Sequence, residues 1–107
     1  MNDKHIISLP TTLTYLKLRS IKGIKGESFK YLPSSITDLT LNSLESLENE
    51  GIKNLPPNIQ DLELGYNSNL TDKCLNCVPT TLISLKVIGC SISNEAIKKF
   101  KNKIKCY

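Results

Sequence analysis

A Leu-Pro or Val-Pro dipeptide stands at positions 9–10, 32–33, 55–56 and 78–79, a constant interval of 23 residues. Each opens the same apolar pattern. A chain built from such copies folds by stacking them, because a unit this short cannot bury its apolar face alone. The units span 9–31, 32–54, 55–77 and 78–99, the last one residue shorter than the rest. Residues 1–8 and 100–107 continue the register as partial units at the two ends, so residues 1–107 are expected to form a single domain.

Within each unit the apolar residues change period. Leu13, Leu16 and Leu18 recur as Ile36, Leu39 and Leu41, then Ile59, Leu62 and Leu64, then Leu82, Leu85 and Val87. The alternation at the end of each triplet has period two, which predicts a short strand with one buried face. A second set follows at helical spacing: Phe29 and Leu32, Ile52 and Leu55, Leu75 and Val78, Ile97 and Phe100, each i to i+3. Between strand and helix stands one more apolar residue, Ile24, Leu47, Leu70 or Ile92. Thr71-Asp72 and Ser93-Asn94-Glu95 offer side-chain acceptors to the first free helical N–H groups. The proline after each helix stops it.

The flanks extend this reading. Ile6 and Leu9 match the helix pair, so residues 1–8 are expected to end a preceding helix that covers the first strand. Phe100, Ile104 and Tyr107 align with Leu9, Leu13 and Leu16, which predicts a fifth strand-like segment with Lys101 in place of the proline. Lys98, Lys99, Lys101, Lys103 and Lys105 crowd this end. A lysine-rich terminal strand blunts an open sheet edge against self-association.

Charge and chemistry exclude several classes of function. Residues 1–97 hold nine basic and ten acidic side chains, so the net charge of +4 is a property of the C-terminus. Thirteen of the fourteen basic residues are lysine, with Arg19 the exception, whereas phosphate and base-edge recognition favours the guanidinium fork. This argues against nucleic acid as the partner. No run of about 18 apolar residues exists to span a membrane, and Met1–Ser8 lacks the apolar stretch of a signal peptide, so the expected location is intracellular, in cytoplasm.

Cys74-x-x-Cys77 has the spacing of half a zinc site, but Cys90, Cys106 and His5 are its only prospective further soft ligands and form no second close pair. The four cysteines therefore read as small buried apolar residues, and no metal or cofactor is expected. His5 is the single histidine, no glycine-rich phosphate loop occurs, and Gly23 and Gly26 flank a turn. Asp61 and Glu63 share a strand face, yet an open solvated sheet would not split their acidities. The chain does not read as an enzyme.

The units resemble leucine-rich repeats, whose strand motif is Leu-x-x-Leu-x-Leu-x-x-Asn/Cys-x-Leu. Asn67 and Cys90 occupy the polar-ladder position of that motif, while Ile21 and Leu44 stand there in the first two units, which leaves the ladder broken on the N-terminal side. Asn69-Leu-Thr-Asp-Lys-Cys-Leu75 resembles the helix start of the cysteine-containing repeats of F-box proteins. Leu32-Pro-Ser-Ser-Ile-Thr-Asp-Leu-Thr-Leu41 is similar to the Leu-Pro repeats called FNIP, known from amoebae and their giant viruses, without the Phe-Asn-Ile-Pro signature. The resemblance implies an α/β fold: a leucine-rich-repeat solenoid in a short right-handed horseshoe arc, with a parallel β-sheet on the concave face and short helices on the convex face. If the chain is viral, the cytoplasm is the host's.

The residues between the buried leucines of each strand then face outward on the concave sheet. They are Tyr15, Lys17 and Arg19; Asp38, Thr40 and Asn42; Asp61, Glu63 and Gly65; Ser84, Lys86 and Ile88. They present one basic margin, an acidic centre suited to a basic peptide or arginine-bearing loop, and a mixed last strand. Tyr15 is a candidate anchor. The expected function is non-enzymatic protein–protein interaction by a monomer through this face, the partner being another protein. Two alternatives stand beside it: the substrate-recognition part of a ubiquitin-ligase system, implied by the F-box and FNIP resemblance, and a polyanion or membrane-surface binder using the lysine-rich terminus.

Overall fold

The computed structural model describes Ile6, residues 8–101 and residues 105–106, with side chains described as far as Phe100. Four strands of five residues, β1 (Tyr15–Arg19), β2 (Asp38–Asn42), β3 (Asp61–Gly65) and β4 (Ser84–Ile88), and a two-residue β5 (Lys105–Cys106) form one sheet in sequence order. All neighbours are parallel, and from β1 to β4 every residue lies opposite the one 23 positions later. The sequence interval is therefore the pairing register.

Period two then separates the faces. Leu18, Leu39, Leu41, Leu62, Leu64 and Leu85 point into the core at 0–2 % exposure, while the residues between them point the other way.

A helical segment follows each of the four longer strands: η1 (Glu27–Tyr31), α1 (Asn49–Ile52), η2 (Asp72–Asn76) and α2 (Asn94–Lys101). Two of the four are 3-10 helices rather than α-helices. In both, the i to i+3 bonds have the spacing of the apolar pairs Phe29 and Leu32, and Leu75 and Val78. Thr71 accepts from the Lys73 N–H and Ser93 from the Ala96 N–H, the caps expected at these helix starts. Phe29, Ile52, Leu75 and the linking Ile24, Leu47 and Leu70 meet the strand leucines in one continuous core.

Where Lys101 replaces the proline, α2 runs on through it to eight residues. The turns that follow Pro10, Pro33 and Pro79 are closed by N–H groups of Leu13, Ile36 and Leu82. Lys105, not Cys106 as the alignment of Phe100 with Leu9 predicts, lies opposite Ser84, a correction of one residue. Ile6 is fully buried beneath β1's end of the core, as a preceding helix end requires. The rest of the proposed helix cap, residues 1–5 and 7, lies outside the described residues, as do the side chains of Lys101, Lys103 and Lys105.

Side chains tie each layer to the next. Asn67, fully buried, accepts from the Leu44 N–H at 2.9 Å and donates to the Leu41 carbonyl at 2.8 Å. Cys90 supplies only the second of these, its thiol lying 3.6 Å from the Leu64 carbonyl. Ile21 and Leu44 enter the core instead, so the polar ladder is confined to the C-terminal half. Two further ladders run elsewhere. Ser35, Asn58 and Thr81, at the 23-residue interval, each donate to a carbonyl of the preceding layer. Asn49 binds the Thr71 N–H and hydroxyl, and Asp72 binds the Ser93 N–H and hydroxyl.

Candidate functional site

Parallel pairing assembles the outward residues into rows across the sheet, with strands about 4.8 Å apart. Tyr15, Asp38, Asp61 and Ser84 make the first row, and Lys17, Thr40, Glu63 and Lys86 the second. The third is Arg19, Asn42, Gly65 and Ile88. Tyr15, Lys17, Arg19, Asp61 and Lys86 are exposed, and Asp38, Thr40, Glu63 and Ser84 are half-buried.

In the first row Asp38 and Asp61 stand directly opposite each other, and no ion pair engages either among the described residues. Asp61 accepts from the Ser84 hydroxyl at 2.9 Å. Like charges in this relation destabilise a sheet unless something compensates them. Glu63 in the second row is already engaged. One of its oxygens lies 3.9 Å from Lys86 Nζ, and the other accepts from Asn42 Nδ2 at 2.7 Å. Among the described residues the unpaired negative charge of this face is therefore concentrated on Asp38 and Asp61 rather than spread over three carboxylates.

Asn42 departs from its expected place on the wet surface. It is 8 % exposed, and its Oδ1 is buried without a hydrogen-bond partner. The cause is Gly65, the next residue in its row: a Cβ there would lie 2.6 Å from Asn42 Oδ1, so the asparagine occupies the space that a side chain at position 65 would take. Asn42 is thus a positioning residue for Glu63 and not part of an exposed contact surface. The glycine stands in a row otherwise filled by larger residues, Arg19, Asn42 and Ile88.

Seven of the twelve outward residues line one shallow depression of about 300 Å3, together with Leu39 and Leu62: Tyr15, Asp38, Thr40, Asp61, Glu63, Ser84 and Lys86. Lys17, Arg19 and Asn42 lie outside it. At the far rim Tyr66, 62 % exposed, packs its ring over Gly89, where a Cβ would lie 2.5 Å from the ring. Ser20, Ser43 and Tyr66 share left-handed φ values of 55°, 56° and 55°, and Gly89, next in the series, has 67°. Only the glycine announced this backbone position.

Cys74, Cys77 and Cys90 are free thiols. Burial first, then the neighbouring Cys90, Cys77 and Asp72, pushes the Cys74 thiol up to about 12. Burial also raises Cys90, against hydrogen bonds from the Asn67 and Tyr66 backbone. Neither is a ready nucleophile or metal ligand at neutral pH. Among the described residues no three His, Cys, Asp or Glu side chains gather to hold a metal ion, and no helix is long and apolar enough to cross a membrane. His5 and the side chain of Cys106 lie outside the described residues.

The architecture is thus an α/β chain with a parallel sheet and short helical segments, bearing a polar face with an acidic pair at its centre. Comparison with family models, curated proteins and solved structures gives no match to the chain.

Proposed function

We propose that the chain is a leucine-rich-repeat solenoid that acts as a non-enzymatic interaction module, binding a basic element of another protein on the concave face of its sheet. The observation that carries this reading is the Asp38–Asp61 pair. Two carboxylates one strand apart, without a counter-cation among the described residues, flanked by an exposed tyrosine and lying in a shallow depression, suit an arginine or lysine side chain that bridges both and stacks on the Tyr15 ring. A like-charge pair weakens the sheet by itself, and a partner's cation between the two carboxylates would relieve that cost.

The test is charge reversal at both positions. Asp38→Lys/Asp61→Lys is expected to lose a partner that the parent chain captures and that mass spectrometry identifies, with the circular dichroism spectrum unchanged. Glu63→Gln, which touches a carboxylate already held by Asn42 and Lys86, is expected to have the smaller effect. Full capture by the double variant would move the site off this face.

A further inference from the structure

A second surface lies at the margin of the sheet. Strand β1 ends the strand order, so among the described residues its outer side has no neighbour. The Thr14 carbonyl accepts from Asp38 N–H and the Ser20 N–H donates to the Asn42 carbonyl. Even-numbered residues therefore face β2, and by the alternation of a strand the N–H and C=O groups of Tyr15, Lys17 and Arg19 face away from it. The same three side chains are exposed on the polar face. On the core side, Leu13 and Leu16 are only half-buried, whereas Leu39, Leu62 and Leu85, which correspond to Leu16, are 0–2 % exposed.

The edge thus offers unpaired backbone groups, two cations and an unfinished apolar row in one alternating register. No ion pair among the described residues engages Lys17 or Arg19. The row that contains Lys17 shows what satisfies such a cation, since Glu63 and Lys86 pair across adjacent strands.

We propose that the β1 edge binds an extended acidic segment of another polypeptide as an added strand. Its acidic residues would lie opposite Lys17 and Arg19, and an apolar residue on the other side of the one opposite Lys17 would cover Leu16. Backbone hydrogen bonds supply the affinity of such an addition, and the alternating side chains supply the selectivity. Lysine-bearing β5 of a second copy fits this edge poorly, because it would set like charges opposite one another.

The probe is a synthetic peptide carrying residues 58–67, whose Asp-Leu-Glu-Leu core has the required alternation, blocked at both ends and followed by fluorescence anisotropy with the full chain. Saturable binding is expected, weakening with salt. Lys17→Glu/Arg19→Glu is expected to bind about tenfold more weakly. Lys17→Pro, which removes an N–H that points off the sheet, is expected to abolish binding while circular dichroism is retained.

Asp38→Lys/Asp61→Lys is expected to leave peptide binding intact, which separates this site from the face proposed above. No peptide binding, or binding unchanged by both edge variants, overturns the proposal. So does dimerisation of the parent chain that Lys17→Pro abolishes, since the edge would then belong to a second copy.

Discussion

Gly26 and Gly51 meet back to back across neighbouring layers, so closely that a Cβ on Gly51 would lie 2.8 Å from the Gly26 Cα and one on Gly26 would run into the Gly51 backbone. Gly26 also has φ +110°, which side chains rarely tolerate, and its carbonyl accepts from Asn54 Nδ2 at 3.1 Å. The contact lets η1 and α1 stack at the spacing that the parallel sheet imposes.

Gly51→Ala is therefore expected to destabilise the chain by about 3 kcal/mol, since the obstacles are backbone atoms that cannot turn aside. Gly23→Ala meets nothing within 4 Å and carries only the strain of φ +84°, about 1 kcal/mol. Urea denaturation of both variants checks the order, and equal losses would contradict the close approach.

Asn67→Ala leaves the Leu44 N–H and the Leu41 carbonyl buried without this partner, a loss of about 3 kcal/mol. Cys90→Ala removes two long thiol contacts, to the Leu64 and Ile88 carbonyls, and is expected to cost about 1 kcal/mol beyond any cavity. A ladder in which both positions matter alike would give similar urea midpoints for the two variants, contrary to expectation.

Asp38→Asn relieves the repulsion from Asp61 and is expected to stabilise the chain by about 0.5 kcal/mol in dilute buffer. The gain should fade as salt screens the pair. A gain that persisted at high salt would point to a cause other than charge.

Stability should also fall at alkaline pH. The folded Cys74 thiol is pushed up from 9.0 to about 12, so between these values the unfolded chain releases a proton that the folded chain keeps. The contribution is fully present below pH 9 and is lost as the pH rises toward 12, with a slope of at most about 1.4 kcal/mol per pH unit. Cys74→Ala is expected to flatten the decline measured between pH 9 and pH 11, whatever its effect at pH 7. An unchanged decline would show that other groups produce it.

Ser43 holds a left-handed backbone at φ 56°, and among the described residues its hydroxyl makes no hydrogen bond. Ser43→Gly removes that strain but adds freedom to the unfolded chain, for a net gain of about 0.5 kcal/mol in thermal or urea denaturation. A loss of stability would mean that the serine side chain contributes packing that outweighs its backbone cost.

The sheet was legible in the chain because its signals are local or periodic. Leu16 and Leu18 face inward for the same reason that Leu39 and Leu41 do, and an interval of 23 residues carries that phase from one strand to the next. The helix starts at Thr71 and Ser93 were legible because a cap needs only its own first turn. The 3-10 geometry of η1 and η2, the register of β5 and the burial of Asn42 were not legible. Each depends on how far a short segment can travel or on what stands in the next layer. Alternation placed Asn42 on the outward face but could not reveal that Gly65 would make room for it to lie down beside Glu63.

Sequence by itself determined which residues form the polar face, since side-chain direction along a strand follows from backbone geometry alone. Tertiary structure decided which of them remain available. Stacking at about 4.8 Å per strand brought Asp38 against Asp61, tied Glu63 between Asn42 and Lys86, and left the outer side of β1 without a neighbouring strand among the described residues. Those outcomes arise between residues about 23 positions apart, where distance and charge act only after the layers have closed on one another.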